Sequence, residues 1–180
     1  MSTATQTSAA HGVRPRQPAP ELTVALLRGG TFRLGEHTPD RLTMVVFFRG
    51  LHCPVCRAQL SELDRRLDEL HSRGVDVIVV SAETRERTTR LAQDWKLERL
   101  PLAYGLTEDQ MRAWGLFISH GLDENEPAVF NEPGLFLISP DRTIYYESIL
   151  SMPVGRPRLD DLLGGIDYWT ANGYPARGEA

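Results

Sequence analysis

Residues 47–56 read Phe-Phe-Arg-Gly-Leu-His-Cys-Pro-Val-Cys. This stretch is the most informative part of the sequence about the fold, because it joins a buried strand to an amphipathic helix. The residues just before the cysteines, 42–48, form a nearly unbroken apolar run, which is typical of a strand in a sheet covered on both faces. Beyond them, apolar residues recur at steps of four and three, as on one face of a helix: Cys56, Leu60, Leu63, Leu67 and Leu70. The only two cysteines of the chain therefore lie where a helix begins after a core strand.

The Cys-x-x-Cys spacing at a helix start is typical of a thiol–disulfide centre. Unpaired backbone N–H groups and the positive end of the helix dipole favour a thiolate at Cys53. Pro54 suits the first helical turn, where a missing N–H has no consequence. One further turn brings the sulfur of Cys56 close enough to close a disulfide. We therefore expect Cys53 to be the attacking thiol and Cys56 the resolving thiol.

Composition and charge predict a single soluble domain. A chain of 180 residues with 41% hydrophobic residues can bury a substantial core, and a formal net charge of −4 gives no reason to expect nucleic acid or an anionic membrane as a partner. The beginning of the chain is rich in Ser, Thr, Ala and Pro without an apolar segment, so we expect no signal peptide, no membrane span and a cytoplasmic location. In a reducing cytosol, a vicinal cysteine pair is better suited to redox cycling than to a structural disulfide. We predict a mobile tail over residues 1–18, one domain over 19–175 and a short tail over 176–180.

Strand and helix signals alternate along the rest of the chain. A leading hairpin is predicted over residues 22–34, a second buried strand over 75–80 and a polar helix over 84–95. A short helix begins at Thr107 with a capping-box pattern, and residues 123–132 read as an acidic loop. A hairpin over 134–149 and a last helix from about Pro157 follow. The predicted order is β-α-β around the cysteines and β-β-α near the end of the chain.

This order, with Cys-x-x-Cys after the first core strand, resembles the thioredoxin fold. The leading hairpin and the extra strand and helix between the two halves resemble its peroxiredoxin-type branch, the alkyl hydroperoxide reductase and thiol-specific antioxidant (AhpC/TSA) superfamily. Residues 18–22, Pro-Ala-Pro-Glu-Leu, and the stretch 47–56 are similar to the peroxiredoxin-like subgroup with a Cys-Pro-x-Cys centre. The resemblance runs from about Ala19 to the final helix. It implies an α/β fold with a central mixed sheet flanked by helices and an N-terminal β-hairpin.

The same resemblance implies a role for Pro133. The sequence Glu132-Pro133-Gly134 precedes a Leu-Phe-Leu-Ile strand, at the place where thioredoxins hold a cis-proline opposite the disulfide. We therefore expect a cis bond before Pro133. Its turn would expose the backbone of Glu132 beside Cys53 for pairing with an incoming substrate.

Around the first cysteine the chain departs from both parent patterns. Peroxiredoxins have a proline seven residues before their peroxidatic cysteine, a threonine three before it and an arginine leading into the late core strand. Those places hold Val46, Gly50 and, approximately, Glu132. Thioredoxin's buried aspartate and the tryptophan before its cysteine are replaced by Phe47 and His52. The sequence therefore predicts that the peroxide-binding groups are missing and that peroxide reduction is slow compared with disulfide exchange.

Arg49 and His52 are the candidates to replace the missing groups. A cation beside Cys53 lowers the pKa of its thiol, and a histidine next to the attacking sulfur can pass protons during exchange. The alternatives are that Arg49 pairs with a surface carboxylate and that His52 is solvated. Glu83, at the end of the second core strand, and His120, in a loop, are weaker candidates.

Metal binding is the competing chemistry for the cysteines. A Cys-x-x-Cys pair is half of a structural zinc site, but the other histidines form no His-x3–5-His partner: His11, His37, His71 and His120. A site shared between two copies of the chain stays an open alternative. No nicotinamide or flavin motif is present, so we predict neither a metal nor a cofactor.

The sequence thus predicts a thiol–disulfide oxidoreductase in which Cys53 attacks a disulfide or an oxidised acceptor and Cys56 closes an internal disulfide. One alternative is a thiol peroxidase, an antioxidant enzyme that reduces hydrogen or alkyl peroxides through a Cys53 sulfenic acid. Another is a thioredoxin-fold redox sensor or scaffold without turnover. The expected reductant is thioredoxin or glutathione, and a homodimer is among the expected assemblies because related folds often dimerise.

Overall fold

The computed structural model describes residues 13–179, so the first twelve residues of the tail predicted over residues 1–18 and the last residue of the chain lie outside it. The strands are β1 (Thr23–Leu26), β2 (Thr31–Arg33), β3 (Leu42–Phe47), β4 (Val75–Val80), β5 (Leu102–Tyr104), β6 (Ile118–His120), β7 (Val129–Asn131), β8 (Gly134–Ile138) and β9 (Ile144–Ile149). The helices are α1 (Pro54–Arg65), α2 (Leu67–His71), α3 (Arg85–Trp95), α4 (Glu108–Ala113) and α5 (Leu159–Asn172).

Seven strands form one mixed sheet in the order β2-β1-β5-β4-β3-β8-β9. At its centre, β3 pairs in parallel with β4 and antiparallel with β8, so that Val46 lies between Val79 and Leu135. Residues 43–47 of β3 are all buried, which explains the unbroken apolar run. Because β3 lies at the centre of the sheet, the segment 48–53 that follows its carboxyl end lies at a central position on that edge of the sheet.

Each face of the sheet has its own buried cluster, because alternate residues of a strand point to opposite sides. Helices α1, α2, α3 and α5 cover one face, where Val46 packs with residues such as Leu60. On the other face, Phe47 packs with Trp114 and Phe136, and α4 and the β1–β2 hairpin complete the cluster. Both cysteines belong to the first cluster, so the sulfurs lie on the face that carries α1 and α5.

The amphipathic helix predicted after the cysteines forms in two pieces, α1 and α2. Its five predicted apolar positions are all buried. The break falls at Arg66, whose backbone leaves the helical region with φ −106° and ψ 17°. The Arg66 side chain bonds Glu62 and Glu69 on its own segment and Asp160 on α5, and these bonds fix the break against α5.

One small hairpin was not predicted. Strands β6 and β7 pair antiparallel as a separate two-stranded sheet, and β7 lies inside the predicted acidic loop. Each strand has three residues, and Ser119, His120 and Asn131 interrupt any apolar alternation. His120 is exposed at the end of β6 rather than placed in a loop.

The beginning of the described chain is bound to the domain. The Arg16 N–H donates to the Ile144 carbonyl at 2.7 Å, and the Ile144 N–H donates to the Gln17 carbonyl at 2.9 Å. Pro18 forms a bridge with Thr143 beside them. Contacts with the domain are therefore already made by residues 16–18, which were predicted as part of the tail. Among residues 13–179, no helix is both long enough and apolar enough to cross a membrane.

Candidate redox site

Cys53 is the N-cap of α1 and Pro54 begins the helix, as the helical pattern predicts. The backbone N–H of Cys56 donates to Cys53 Sγ at 3.2 Å. Both cysteines are free thiols, and their exposed fractions are only 1% for Cys53 and 0% for Cys56. The helix start thus holds two thiols side by side beneath the surface.

The two thiols have opposite pKa shifts. A hydrogen bond from the Cys56 side chain is the main cause that lowers the pKa of Cys53 to about 6; the Cys56 N–H and the charges of Arg156 and Arg49 contribute, while burial opposes the shift. Burial is the main cause that raises the pKa of Cys56, and its hydrogen bond to Cys53 adds to the effect. Near neutral pH the pair therefore consists of a Cys53 thiolate and a Cys56 thiol that share a hydrogen bond.

An arginine that sequence reasoning missed lies against both sulfurs. Arg156 Nη2 is 3.0 Å from Cys56 Sγ and 3.9 Å from Cys53 Sγ. Its Nη1 donates to the side-chain oxygen of Gln59 on α1, and its Nε donates to the Pro153 carbonyl at 2.8 Å. Arg156 lies in the connection between β9 and α5, far along the chain from the cysteines. The guanidinium supplies a fixed positive charge at the thiol pair.

Arg49, a predicted supporting residue, is paired with a carboxylate that is buried rather than on the surface. Its Nε lies 3.2 Å from Glu132 Oε2, and its guanidinium carbon lies 5.1 Å from the centre of the Phe130 ring. Glu132 is 4% exposed and also accepts a hydrogen bond from Ser119 Oγ at 2.7 Å. Arg49 also lowers the pKa of Cys53, but its contribution is smaller than that of Arg156.

His52 is buried, so the alternative of a solvated histidine is wrong. Its side chain is 7% exposed and its ring lies 4.9 Å from the ring of Phe130. Glu126 Oε1 is 3.7 Å from His52 Nε2, which is too long for a hydrogen bond. Burial is the main cause that lowers the pKa of His52, so a neutral imidazole precedes Cys53 at neutral pH.

Glu83 fixes the turn before Cys53 and is not a solvated strand end. It is 1% exposed, its Oε1 accepts the Leu51 N–H at 2.8 Å, and its carboxylate pairs with Arg87 of α3. Gly50 has a φ of +137°, and a Cβ built there would lie 2.3 Å from Glu83 Oε1. Glu83 therefore fills the space that a side chain at position 50 would need, and the threonine of the peroxiredoxin pattern has no counterpart.

The predicted cis bond at Pro133 is wrong, since residues 13–179 contain no cis peptide bond. Glu132 and Pro133 are the two residues that join β7 to β8. The Glu132 N–H donates to the Phe117 carbonyl at 2.8 Å, and the Glu132 carbonyl accepts from Asn131 Nδ2 at 3.2 Å. The Pro133 carbonyl accepts the Leu150 N–H at 3.0 Å. Because these backbone groups are occupied, the argument for substrate pairing at Glu132 is removed.

A zinc site formed within one chain finds no support in the described residues. No group of three or more His, Cys, Asp or Glu side chains between residues 13 and 179 could hold a metal ion. The polar groups around Cys53 are arranged as ion pairs and hydrogen bonds, with Arg156 the cation in direct contact with sulfur.

A mixed sheet flanked by helices, with two thiols at the start of the helix after its central strand, defines a thioredoxin-like redox protein. The chain belongs to the AhpC/TSA family, whose model matches residues 15–147. It is therefore a thiol-dependent oxidoreductase of the antioxidant type. Arg156 lies beyond the matched residues.

Solved structures confirm the peroxiredoxin type of thioredoxin-like fold. A peroxiredoxin-like protein from Aquifex aeolicus has a TM-score of 0.70 and 17% identity, covering 87% of this chain and 88% of its own. Peroxidoxin BcpB from Mycobacterium tuberculosis has a TM-score of 0.70 and 14% identity, covering 87% and 97%. AhpC from Mycobacterium bovis has a TM-score of 0.73 and 16% identity, covering 94% and 98%. A search of the curated proteins gave no match.

Proposed function

We propose that the protein is a thiol peroxidase in which Cys53 attacks the peroxide and Cys56 resolves the product. The observation that carries the proposal is the buried Cys53 sulfur with the guanidinium of Arg156 beside it. Peroxiredoxins have an arginine leading into the late core strand, and in this chain Glu132 approximately occupies that position. Arg156, from a different part of the chain, supplies the positive charge that a peroxide O–O bond needs when it breaks.

The proposed cycle has three steps. The Cys53 thiolate attacks one peroxide oxygen, the O–O bond breaks, and the leaving oxygen takes a proton to become an alcohol or water, while Cys53 becomes a sulfenic acid. The Cys56 thiol then attacks the Cys53 sulfur, a disulfide forms and water leaves. A dithiol protein finally returns two electrons and two protons to the pair. Arg156 stabilises the thiolate before the first step and the negative charge that develops on the leaving oxygen.

Burial of the pair favours a small oxidant over a protein disulfide. Sulfurs with exposed fractions of 1% and 0% can meet a hydroperoxide within the site, whereas a disulfide of another protein needs an open, in-line approach. The disulfide reductase that the sequence favoured is therefore the second candidate. The observation in its favour is Gly50, since no hydroxyl stands three residues before Cys53 to bind the peroxide.

A kinetic comparison of oxidants tests the proposal. The reduced protein is mixed with hydrogen peroxide, an alkyl hydroperoxide or a model disulfide, and tryptophan fluorescence follows oxidation. We expect both peroxides to react faster than the disulfide, Cys53→Ser to abolish the reaction, and Cys56→Ser to accumulate a sulfenic acid that dimedone traps. Faster reaction with the model disulfide would instead support the second candidate, and oxidation without turnover would support a redox sensor.

The reductant and the compartment belong to the same proposal. A thioredoxin-type dithiol matches an internal disulfide because it supplies both electrons from one molecule, whereas glutathione needs two molecules in sequence. Comparing turnover with the two reductants decides between them. The proposal places the enzyme in the cytosol, where such reductants are maintained. The homodimer stays a prediction that sedimentation can test.

A further inference from the structure

A cavity of about 240 Å³ lies between β9 and α5. Its lining includes Arg41, just before β3, and Ser139, just after β8. Both residues lie at the amino end of β3, whereas the cysteines follow its carboxyl end, so the cavity and the thiols are at opposite edges of the sheet. Three aromatic side chains also line the cavity: Tyr145, Trp169 and Tyr174. Aromatic walls with a few polar groups are typical of a pocket for a small molecule.

A β-bulge in β9 brings two consecutive tyrosines to the same face of the sheet. Tyr146 pairs with Leu137 and Ile144 pairs with the next residue of β8, so Tyr145 between them has no partner on that strand. Successive side chains of a regular strand point to opposite faces, but a bulge changes this alternation. Tyr145 and Tyr146 therefore both pack on the α5 side, with ring centres 5.2 Å and 6.3 Å from the ring of Trp169. The bulge thus supplies Tyr145 to the wall of the cavity.

Two hydrogen bonds connect the three aromatic residues of this wall. The Tyr145 hydroxyl donates to the Tyr174 carbonyl at 2.6 Å. Gly173 ends α5 in the left-handed conformation, and the Tyr174 N–H donates back to the Trp169 carbonyl at 3.0 Å. The wall is therefore formed before any ligand binds.

Of the described residues that line this cavity, only Arg41 is charged. Between residues 13 and 179 its guanidinium forms no salt bridge. The stem of Arg41 packs over Gly74, where a Cβ would lie 3.0 Å from Arg41 Cγ. The hydroxyl-bearing residues Ser139 and Thr170 complete the polar part of the lining. A guanidinium without an ionic partner is well suited to bind a carboxylate.

An adjoining cavity of about 270 Å³ is less suited to an anion. It shares the three aromatic residues of the wall, but both Glu147 and Arg177 line it, so its charges offset each other. Oε2 of Glu147 is buried and finds no hydrogen-bond partner among the described residues. The charges therefore favour the cavity beside Arg41 as the site of an anionic ligand.

We propose that the cavity beside Arg41 binds a small aromatic carboxylate. Its ring packs against Tyr145 and Trp169, and its carboxylate pairs with the Arg41 guanidinium. Cavities for drug-sized ligands measure about 300–1,000 Å³, so a volume of about 240 Å³ suits one ring with a short acidic side chain. The carboxyl end of α5 adds a partial negative charge nearby, so an anion depends on Arg41 for its binding. The inference does not depend on the proposed function, because this site is separate from the thiols.

Proton–nitrogen NMR of the full-length protein tests the site with three matched probes. Phenylacetate carries the ring and the charge, phenylacetamide lacks the charge, and cyclohexylacetate lacks the aromatic ring. We expect phenylacetate to shift the indole N–H signal of Trp169 in a saturable way and to leave those of the buried Trp95 and Trp114 in place. Phenylacetamide should bind about tenfold more weakly, because a hydrogen bond to a charged group is lost. Cyclohexylacetate should bind about threefold more weakly, because it makes no aromatic pair.

Each probe can contradict one part of the proposal. Equal dissociation constants for phenylacetate and phenylacetamide would overturn the recognition of a carboxylate. Equal constants for phenylacetate and cyclohexylacetate would overturn the recognition of an aromatic ring. A Trp169 signal that phenylacetate does not move would overturn the site itself.

Three variants assign the contacts to their residues. Arg41 is exposed, so Arg41→Gln should fold, and it should bind phenylacetate as weakly as phenylacetamide. Trp169→Leu should weaken the binding of phenylacetate, measured by calorimetry. Arg112→Gln is the matched control, because it also removes one positive charge but from α4 on the other face, where Arg112 pairs with Glu108; it should bind as wild type does. A preference for the acid over the amide that persists in Arg41→Gln would overturn the assigned partner of the carboxylate.

The redox reaction separates this site from the thiols. Saturating phenylacetate should leave the rate of Cys53 oxidation by hydrogen peroxide unchanged, because the cavity lies at the opposite edge of the sheet. Competition between phenylacetate and peroxide would place the acid at the thiols and overturn the proposal. Failure of peroxide turnover without any ligand would overturn the peroxidase alone.

Discussion

The reactivity of this site depends on individual side chains, above all on the thiol of Cys53. Because its pKa is lowered to about 6, alkylation of the reduced protein by iodoacetamide should rise with pH around a midpoint near 6. Cys56, whose pKa is raised by burial, should stay unmodified over the same range. Peptide mass spectrometry at each cysteine measures both rates, and faster modification of Cys56 near neutral pH would reverse the assigned roles.

The same shift makes folding stability depend on pH. An unfolded cysteine has a pKa of about 8.5, so between about pH 6 and 8.5 the folded protein binds fewer protons than the unfolded chain. The thiolate therefore contributes stability that is fully present above the unfolded pKa and is lost as pH falls through the folded pKa. Urea unfolding should show reduced wild type gaining stability relative to Cys53→Ser from about pH 6 to 8.5. A constant difference across this range would contradict the thiolate assignment.

Arg156 is the second residue on which the chemistry depends. Replacing it by glutamine removes a positive charge 3.9 Å from Cys53 Sγ, so the pKa of Cys53 should rise. Peroxide reduction should slow by about tenfold or more, because a donor aimed at developing charge is lost. Arg156→Lys should recover part of the rate, and Arg158→Gln should leave it unchanged. Wild-type rates in Arg156→Gln would exclude a catalytic role.

The redox role of the two cysteines could be predicted from the sequence because a single local motif, Cys-x-x-Cys at a helix start, indicates it. The spacing of Pro54, Leu60 and Leu63 indicates a helix start at Cys53, and the lowered pKa of Cys53 follows mainly from the hydrogen bond of the Cys56 side chain, which the Cys-x-x-Cys spacing brings close. Arg156 was not predicted because it meets Cys56 across 100 residues, and only the fold brings the two together. The role of Glu83 stayed open for the same reason, since only the fold brings it to the Leu51 N–H.

One buried carboxylate, that of Asp64, holds helix α1 against the connection between α3 and β5. Asp64 is 8% exposed; its Oδ1 accepts the N–H groups of Arg99 and Leu100, each at 2.9 Å, and its Oδ2 accepts that of Glu98 at 3.3 Å. Asp64→Ala leaves these donors without their acceptor and should lower the free energy of unfolding by about 3 kcal/mol. Urea denaturation measures the loss.

The neighbouring Asp68→Ala is the control for that experiment. Asp68 also pairs with Arg99, but the pair is on the surface, with side chains 79% and 41% exposed. Exposed ion pairs contribute about 0–1 kcal/mol, so this variant should unfold nearly as wild type does. Similar losses in the two variants would mean that burial does not distinguish them.

The sequence predicted long elements better than short ones. Strands β3 and β4 and the helices α1, α3 and α5 have enough residues for a period to show. β6 and β7 have three residues each, and their pairing depends on tertiary contacts such as the bond from the Glu132 N–H to the Phe117 carbonyl.

Strand β3 contributes residues to both buried clusters, so the clusters on the two faces of the sheet should unfold together. Leu60→Ala on one face and Met111→Ala on the other should each lower the free energy of unfolding by about 2–5 kcal/mol. Each variant should still show one transition, because neither cluster can lose the shared strand and persist. The unfolding curve from far-UV circular dichroism should coincide with that from tryptophan fluorescence, which reports Trp95 and Trp169 on one face and Trp114 on the other. Two separated transitions would show independent units.

The contact between Gly50 and Glu83 also restricts the evolutionary routes open to this chain. A side chain gained at position 50 meets both a φ of +137° and the carboxylate of Glu83, while loss of Glu83 alone leaves the buried Leu51 N–H without its acceptor. Each step is harmful before the other has occurred, so the two positions are epistatic. Replacing Glu83 would remove the clash but not the positive φ, so a library randomised at both positions should yield folded, active descendants that mainly keep Gly50. A lineage that carries Gly50 together with Glu83 is thereby prevented from acquiring a hydroxyl side chain at position 50. It continues to depend on the positive charge of Arg156.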